Sequence, residues 1–204
     1  MWKSKLTIFE KIVSAVKVVL TGGVIIYPTD TVYGIGCDPF NVEAVKRVYE
    51  IKKRERKPMP VLLPSLDMLY SVADPTPEEI EAALRLWPGP VTILMRKNPN
   101  LPDIVTAGEP SVGVRIPAHM IPLSIMEKAG KPLVGTSANI SGQPSATEVK
   151  HIDESVLTKV DIVIDQGATF HKLPSTVVRV KRDGFEVVRE GAMTAEEVAR
   201  RLKA

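Results

Sequence analysis

Proline brackets the apolar runs of this sequence, and that constrains the fold more than any other feature. Val24–Tyr27 stops at Pro28, Val61-Leu62-Leu63 lies between prolines, and Val91–Met95 follows Trp87-Pro88-Gly89-Pro90. The run Ser111–Ile116 ends at Pro117, and Pro174 precedes Thr176–Val180. Proline has no N–H to give to a strand ladder, so it sits at strand ends and keeps the strands short. The chain has 17 prolines in 204 residues, about 8% against an average near 5%. They are spread along the chain and do not mark a linker.

Helical patterns alternate with these runs. Apolar Ile12, Val13, Val16, Val19 and Leu20 recur at helical spacing in Glu10–Leu20, and Gly22-Gly23 ends the pattern. Asn41 is placed to cap a helix running to about Arg54, with Val42, Val45, Val48, Tyr49 and Ile51 on its inner face. Thr76-Pro77-Glu78-Glu79 and Thr194-Ala195-Glu196-Glu197 are capping boxes, the first opening a helix to Trp87 and the second a final helix. A further helix is expected over Pro122–Ala129, terminated by Gly130. Leu133–Val134 and Asp161–Ile164 add strand candidates, and Thr176–Val180 with Phe185–Arg189 flank Asp183-Gly184 as a hairpin. The alternation predicts an α/β fold with an open, twisted, mixed sheet and flanking helices, as one domain over residues 1–204.

Composition excludes several classes. With 44% hydrophobic and 25% charged residues the chain is neither disordered nor fibrous. Cys37 is the only cysteine, so no internal disulfide forms. His119, His151 and His171 are too scattered for a structural zinc site. No apolar run approaches the ~18 residues of a membrane span, so a cytoplasmic protein with no membrane partner is expected.

The net charge of +3 hides an uneven distribution. Lys46, Arg47, Lys52, Lys53, Arg54, Arg56 and Lys57 face two acidic residues within 46–57, a local +5, so the rest of the chain sums to −2. Glu43–Arg47 and Glu50–Arg54 have the i,i+4 spacing of helix-surface ion pairs, which would leave part of this charge on a solvated face. The cations nevertheless continue into the turn before Pro58, where a phosphate, a carboxylate or an RNA backbone would relieve their repulsion.

No familiar nucleotide loop is present. Gly34-Ile35-Gly36 lacks the third glycine of a dinucleotide fingerprint, and Thr136 stands where a phosphate-loop lysine belongs after Gly130 and Gly135. Two polar loops remain. Residues 27–34 leave a strand end, where open α/β sheets bind ligands, although their Thr and Asp side chains could simply cap backbone in a strand-to-helix connection. Residues 135–142 place Thr136, Ser137, Asn139 and Ser141 between glycines, which suits either a polar ligand or a plain turn. Ser137 lacks a nucleophile elbow or a histidine partner, and Cys37 reads as a small buried hydrophobe. Arg115 interrupts the apolar strand Val112–Ile116, so it lies either on an exposed face or in a pocket that takes a carboxylate or phosphate.

These segments together resemble the YrdC-like family: Tyr-Pro-Thr-Asp-Thr-Val-Tyr-Gly at 27–34, Lys-Lys-Arg at 52–54, Trp-Pro-Gly-Pro at 87–90 and Thr-Ser-Ala-Asn-Ile-Ser-Gly at 136–142. Val-Gly-Val-Arg-Ile-Pro at 112–117, Pro-Ser-Thr-Val at 174–177 and Arg-Glu-Gly at 189–191 extend the match over nearly the whole chain. The resemblance implies a concave basic face and the short, single-domain form. It also implies a nucleotidyltransferase that joins L-threonine, bicarbonate and ATP into threonylcarbamoyl adenylate for tRNA modification, releasing pyrophosphate.

The same resemblance implies that Lys52, Arg54, Ser137 and Asn139 hold the ATP phosphates, with Lys52 and Arg54 catalytic and Lys57, Ser145 and Arg189 assisting. It implies that Thr29, Arg115, Gly135 and Ser175 surround threonine, Arg115 meeting its carboxylate. Mg2+ is expected with ATP, without a dedicated carboxylate pair in the chain. Longer members often carry a histidine where this sequence reads Val61-Leu62-Leu63. tRNA or a transfer complex is the expected downstream partner. An RNA-binding module using the same basic face is one alternative. A carbamoyl-adenylating domain of the hydrogenase-maturation type is another, although such chains carry zinc-finger segments that this one lacks.

Overall fold

The computed structural model describes residues 6–55 and 57–203. Arg56 of the basic segment and the two ends of the 1–204 span lie outside the described residues. The strands are β1 (Ile25–Tyr27), β2 (Gly34–Gly36), β3 (Val61–Leu62), β4 (Val91–Arg96) and β5 (Ser111–Arg115). They continue with β6 (Leu133–Val134), β7 (Thr136–Ser137), β8 (Ile162–Val163), β9 (Thr176–Lys181) and β10 (Gly184–Arg189). The helices are α1 (Ile8–Leu20), α2 (Val42–Ile51), α3 (Leu69–Val72) and α4 (Pro77–Leu86). After them come α5 (Asp103–Thr106), α6 (Met120–Ala129), α7 (Glu154–Leu157) and α8 (Ala195–Lys203).

The expected α/β class with mixed strands and flanking helices is present, but the strands divide between two sheets. One has the order β7-β2-β1-β8 and the other β10-β9-β4-β5-β3-β6. Each combines parallel and antiparallel neighbours. The chain passes from the larger sheet to the smaller at Gly135, between β6 and β7. A Cβ there would lie 2.4 Å from Leu62 Cγ, so glycine lets the two sheets approach. One continuous core contains Ile26 and Ile35 of the small sheet together with Val61, Ile93 and Val114 of the large one. A second cluster seats α1 and α6 against Ile25, Tyr27 and Leu133.

Local signals act where the sequence places them. The capping boxes at Thr76 and Thr194 both form, and Gly130 caps α6 at φ 61°. Helix α6 begins earlier than expected, at Met120, because the His119 ring accepts the Ile121 N–H. The hairpin turn is Arg182-Asp183, one residue before the expected pair: Gly184 opens β10 opposite Lys181 with φ 141°. Among the described residues no helix is long and apolar enough to cross a membrane.

Helix α2 ends at Ile51, three residues short of the expected stop. Lys53 takes the left-handed conformation at φ 47°, and the Lys53 and Arg54 N–H groups bond back to the carbonyls of Glu50 and Tyr49. This is a Schellman closure built on lysine, which carries no glycine signal. On the inner face Ala44 is buried, whereas Val42 is exposed. The segment after β1 also differs from expectation. Tyr27 and Gly34 belong to strands, and Pro28–Tyr33 joins two antiparallel strands instead of leading into a helix.

Candidate functional site

The junction of the two sheets forms a polar cleft of about 170 Å³. Arg54 reaches it from the turn after α2, Arg115 from the end of β5, and Arg189 from the end of β10. Ser137 of β7, Ser145 and Ser175 supply hydroxyls, and Gly135 with Thr136 forms part of the wall. A smaller recess adjoins it, lined by Thr29, Tyr27, Leu62 and Arg115 among others. Leu62 therefore puts an apolar side chain on the recess wall beside Gly135.

The basic segment does not pair as its spacing suggests. Arg47 binds Asp161 at 2.6 Å and the Lys159 carbonyl at 2.7 Å, and Lys46 takes Glu43. Arg54 follows the left-handed Lys53 and lies outside the helix. Its guanidinium instead donates to the Lys57 and Pro58 carbonyls at 3.4 and 3.0 Å. Arg47 thus takes tertiary partners and Arg54 local backbone carbonyls in place of the expected i,i+4 pairs.

Arg115 is 4% exposed and fully oriented. Nε donates to the Gly89 carbonyl at 2.8 Å, Nη1 to Thr31 Oγ1 at 2.9 Å, and Nη2 to Asp30 Oδ1. A guanidinium has five N–H groups, so one on each terminal nitrogen remains for a ligand. Asp30 is buried alongside it, and its Oδ2 has no hydrogen-bond partner. Asp30 and Thr31 are the site residues that sequence reasoning passed over. The available cue was a carboxylate between two threonines in an apolar setting, which needs a buried counter-charge.

The loop 28–33 is buried, and apart from Asp30 Oδ2 its side-chain polar atoms find partners within the protein. Thr29 Oγ1 accepts the Thr31 and Val32 N–H groups and donates to the Val32 carbonyl at 2.7 Å. Thr29 therefore lines the recess with a hydroxyl already committed to its own loop. Ser175 Oγ lies 2.8 Å from Thr92 Oγ1, and Arg189 Nη2 donates to the Ser175 carbonyl at 2.6 Å. Gly191 allows this contact segment to close, since a Cβ would lie 2.3 Å from the Pro174 carbonyl.

Lys52 is placed apart from the arginines of the cleft wall. It is 1% exposed and does not line the cleft. Its Nζ donates to the carbonyls of Ser137 and, at 2.8 Å, of Asn139. Burial first, and then the neighbouring Arg54, lower its pKa to about 7. Asn139 is also buried, its amide nitrogen donating to the Ile140 and Gln143 carbonyls. The Lys57 side chain is exposed and outside the cleft lining, its carbonyl serving Tyr49 and Arg54 instead. Cys37 is buried and unpaired, and burial pushes its thiol pKa up, as fits an inert packing residue.

The electrostatics of the cleft are unbalanced. Burial lowers the pKa of Arg54, Arg115 and Arg189, with Arg54 adding repulsion at Arg189 and Arg189 at Arg115. Of the three, Arg115 is the one paired with Asp30. Like charges brought together in this way suit a phosphate or carboxylate ligand.

Residues 17–191 match the Sua5/YciO/YrdC family, whose description reads telomere recombination. The chain belongs to the Sua5/YciO/YrdC family. A threonylcarbamoyl-AMP synthase of Pyrococcus abyssi is 37% identical over 179 residues, 87% of this chain and 53% of its own length. This chain therefore spans about half of that relative. A putative threonylcarbamoyl-AMP synthase of Methanocaldococcus jannaschii is 39% identical over 90% of this chain and 87% of its own. The crystal structure of P. abyssi Sua5 complexed with L-threonine superposes with a TM-score of 0.89 at 34% identity, covering 97% of this chain and 58% of that one. The matched residues 17–191 include the lining of both the cleft and the recess.

Proposed function

We propose that this chain is a threonylcarbamoyl-AMP synthase, joining ATP, L-threonine and bicarbonate into threonylcarbamoyl adenylate with release of pyrophosphate. The observation that carries the reading is the convergence of Arg54, Arg115 and Arg189 on one cleft, with Arg115 alone of the three held by a carboxylate, Asp30. The names of the relatives and the threonine complex of P. abyssi Sua5 support it.

In this reading the two remaining N–H groups of Arg115 take the threonine carboxylate, and the recess beside Thr29 and Leu62 takes its side chain. Arg54, Arg189, Ser137 and Ser145 face the triphosphate. The threonine amine adds to bicarbonate with loss of water, and an oxygen of the resulting carbamate attacks the α-phosphorus as pyrophosphate leaves. Three anions would repel one another in water. Fixed guanidinium groups bring them together and stabilise the charge that develops in the transition state.

Among the described residues no three His, Cys, Asp or Glu side chains come together as metal ligands. The cleft offers guanidinium and hydroxyl donors to phosphate, and magnesium would arrive on the triphosphate, where it offsets phosphate charge. Onward transfer to a tRNA adenosine by other proteins, in the cytoplasm, completes the proposal.

The test is isotope exchange between ATP and pyrophosphate. Exchange should require both threonine and bicarbonate, and Arg54→Ala should slow it by about 10²-fold, as expected for loss of a transition-state contact. Full exchange in the variant would overturn the site. Its absence in the wild-type protein would overturn the function.

A further inference from the structure

We propose that Lys52 is a positioning residue that builds the phosphate-facing loop from beneath and does not itself touch ATP. Three hydrogen bonds tie this one residue to Ser137–Ser141. Its Nζ holds the Ser137 and Asn139 carbonyls, and its own carbonyl accepts the Ser141 N–H at 2.9 Å. Lys52 lies at the C-cap of α2, so it couples the end of that helix to the strand β7.

Geometry separates it from its neighbour Arg54. The left-handed Lys53 lies between them, and Arg54 lines the cleft wall while Lys52 is buried beneath the loop. The facing groups are the two carbonyls and the Arg54 guanidinium, and the ion pairs found among the described residues include none to Lys52. Drawing Nζ out to a phosphate would leave two loop carbonyls without this donor, a cost that opposes direct binding. A lysine suits the task because its point-like amino group can serve two carbonyls from a buried stem.

The role assigned to Ser137 rests on the proposed ATP reading, but the loop measurement does not. Amide hydrogen exchange is followed without ATP in the wild-type protein, Lys52→Met and Arg54→Ala. Exchange at Ala138, Asn139 and Ser141 should rise about tenfold or more in Lys52→Met and stay at the wild-type rate in Arg54→Ala. In steady state Lys52→Met should raise KM for ATP about tenfold while KM for threonine stays within about twofold. Adding Ser137→Ala to Lys52→Met should then cost little more, because both act on one contact.

If Lys52→Met fails to fold, Lys52→Gln carries the same comparisons. Unchanged loop exchange with weakened ATP binding, or multiplicative effects in the double variant, would show direct contact and overturn the proposal. Faster loop exchange in Lys52→Met, together with a wild-type protein that turns over no ATP, would retire the synthase reading and leave the positioning role standing.

Discussion

Asp30 shows how much a single buried group decides at this site. Its carboxylate pins Arg115 through Oδ1, and its backbone carbonyl accepts the His171 N–H at 2.9 Å, joining β5, the loop 28–33 and the segment before Ser175. Removing one partner of such a pair leaves an uncompensated buried charge, which costs far more than the pair itself contributes. Asp30→Asn should therefore lower the unfolding free energy in urea by about 3–5 kcal/mol and weaken threonine binding. A loss below about 1 kcal/mol would show that Arg115 is held by Gly89 and Thr31 without it. The residue types were legible: Arg115, Ser137, Ser175 and Arg189 stand out in the sequence and do meet at one cleft. The partners were not, because Asp30 and Arg115 are 85 positions apart and only folding sets their distance.

The end of α2 makes the corresponding point for an element. Apolar periodicity locates the helix, and Asn41 caps it as its type suggests, by accepting the Ala44 N–H. Nothing in the pattern marks the stop, since lysine rather than glycine takes the left-handed position. A side chain in that conformation is strained, so Lys53→Gly should raise stability by about 1 kcal/mol, read as a higher urea midpoint. A lower midpoint would mean that the Lys53 side chain contributes more than the strain costs. Because of that stop, Arg54 serves the cleft instead of Glu50. The short strands β2 and β7 escaped the sequence for a related reason. Three and two residues carry too little periodicity, and their identity comes from the pairing of Gly34 with Ser137.

At the scale of the molecule, two sheets share one core. Residues Val24 to Val198, drawn from both sheets and from α2, α4 and α8, belong to a single buried cluster that includes Trp87. Unfolding one sheet would expose the apolar face of the other, so the two should melt together. Far-ultraviolet and near-ultraviolet circular dichroism should give coincident thermal transitions, and two separated transitions would divide the chain into independent units. The cleft depends on this union, since Arg115 and Arg189 come from the larger sheet and Thr136 and Ser137 from the smaller. The sequence by itself determined the α/β class, most helix and strand positions, and the inventory of cations and hydroxyls. Those follow from periodicity, capping and proline placement, which act over a few residues. Only the tertiary structure decided that the strands form two sheets, that Arg54 faces the cleft while Lys52 is buried, and that Asp30 holds Arg115. Each of these depends on distances between distant segments, which burial and charge pairing set only once the whole chain is packed.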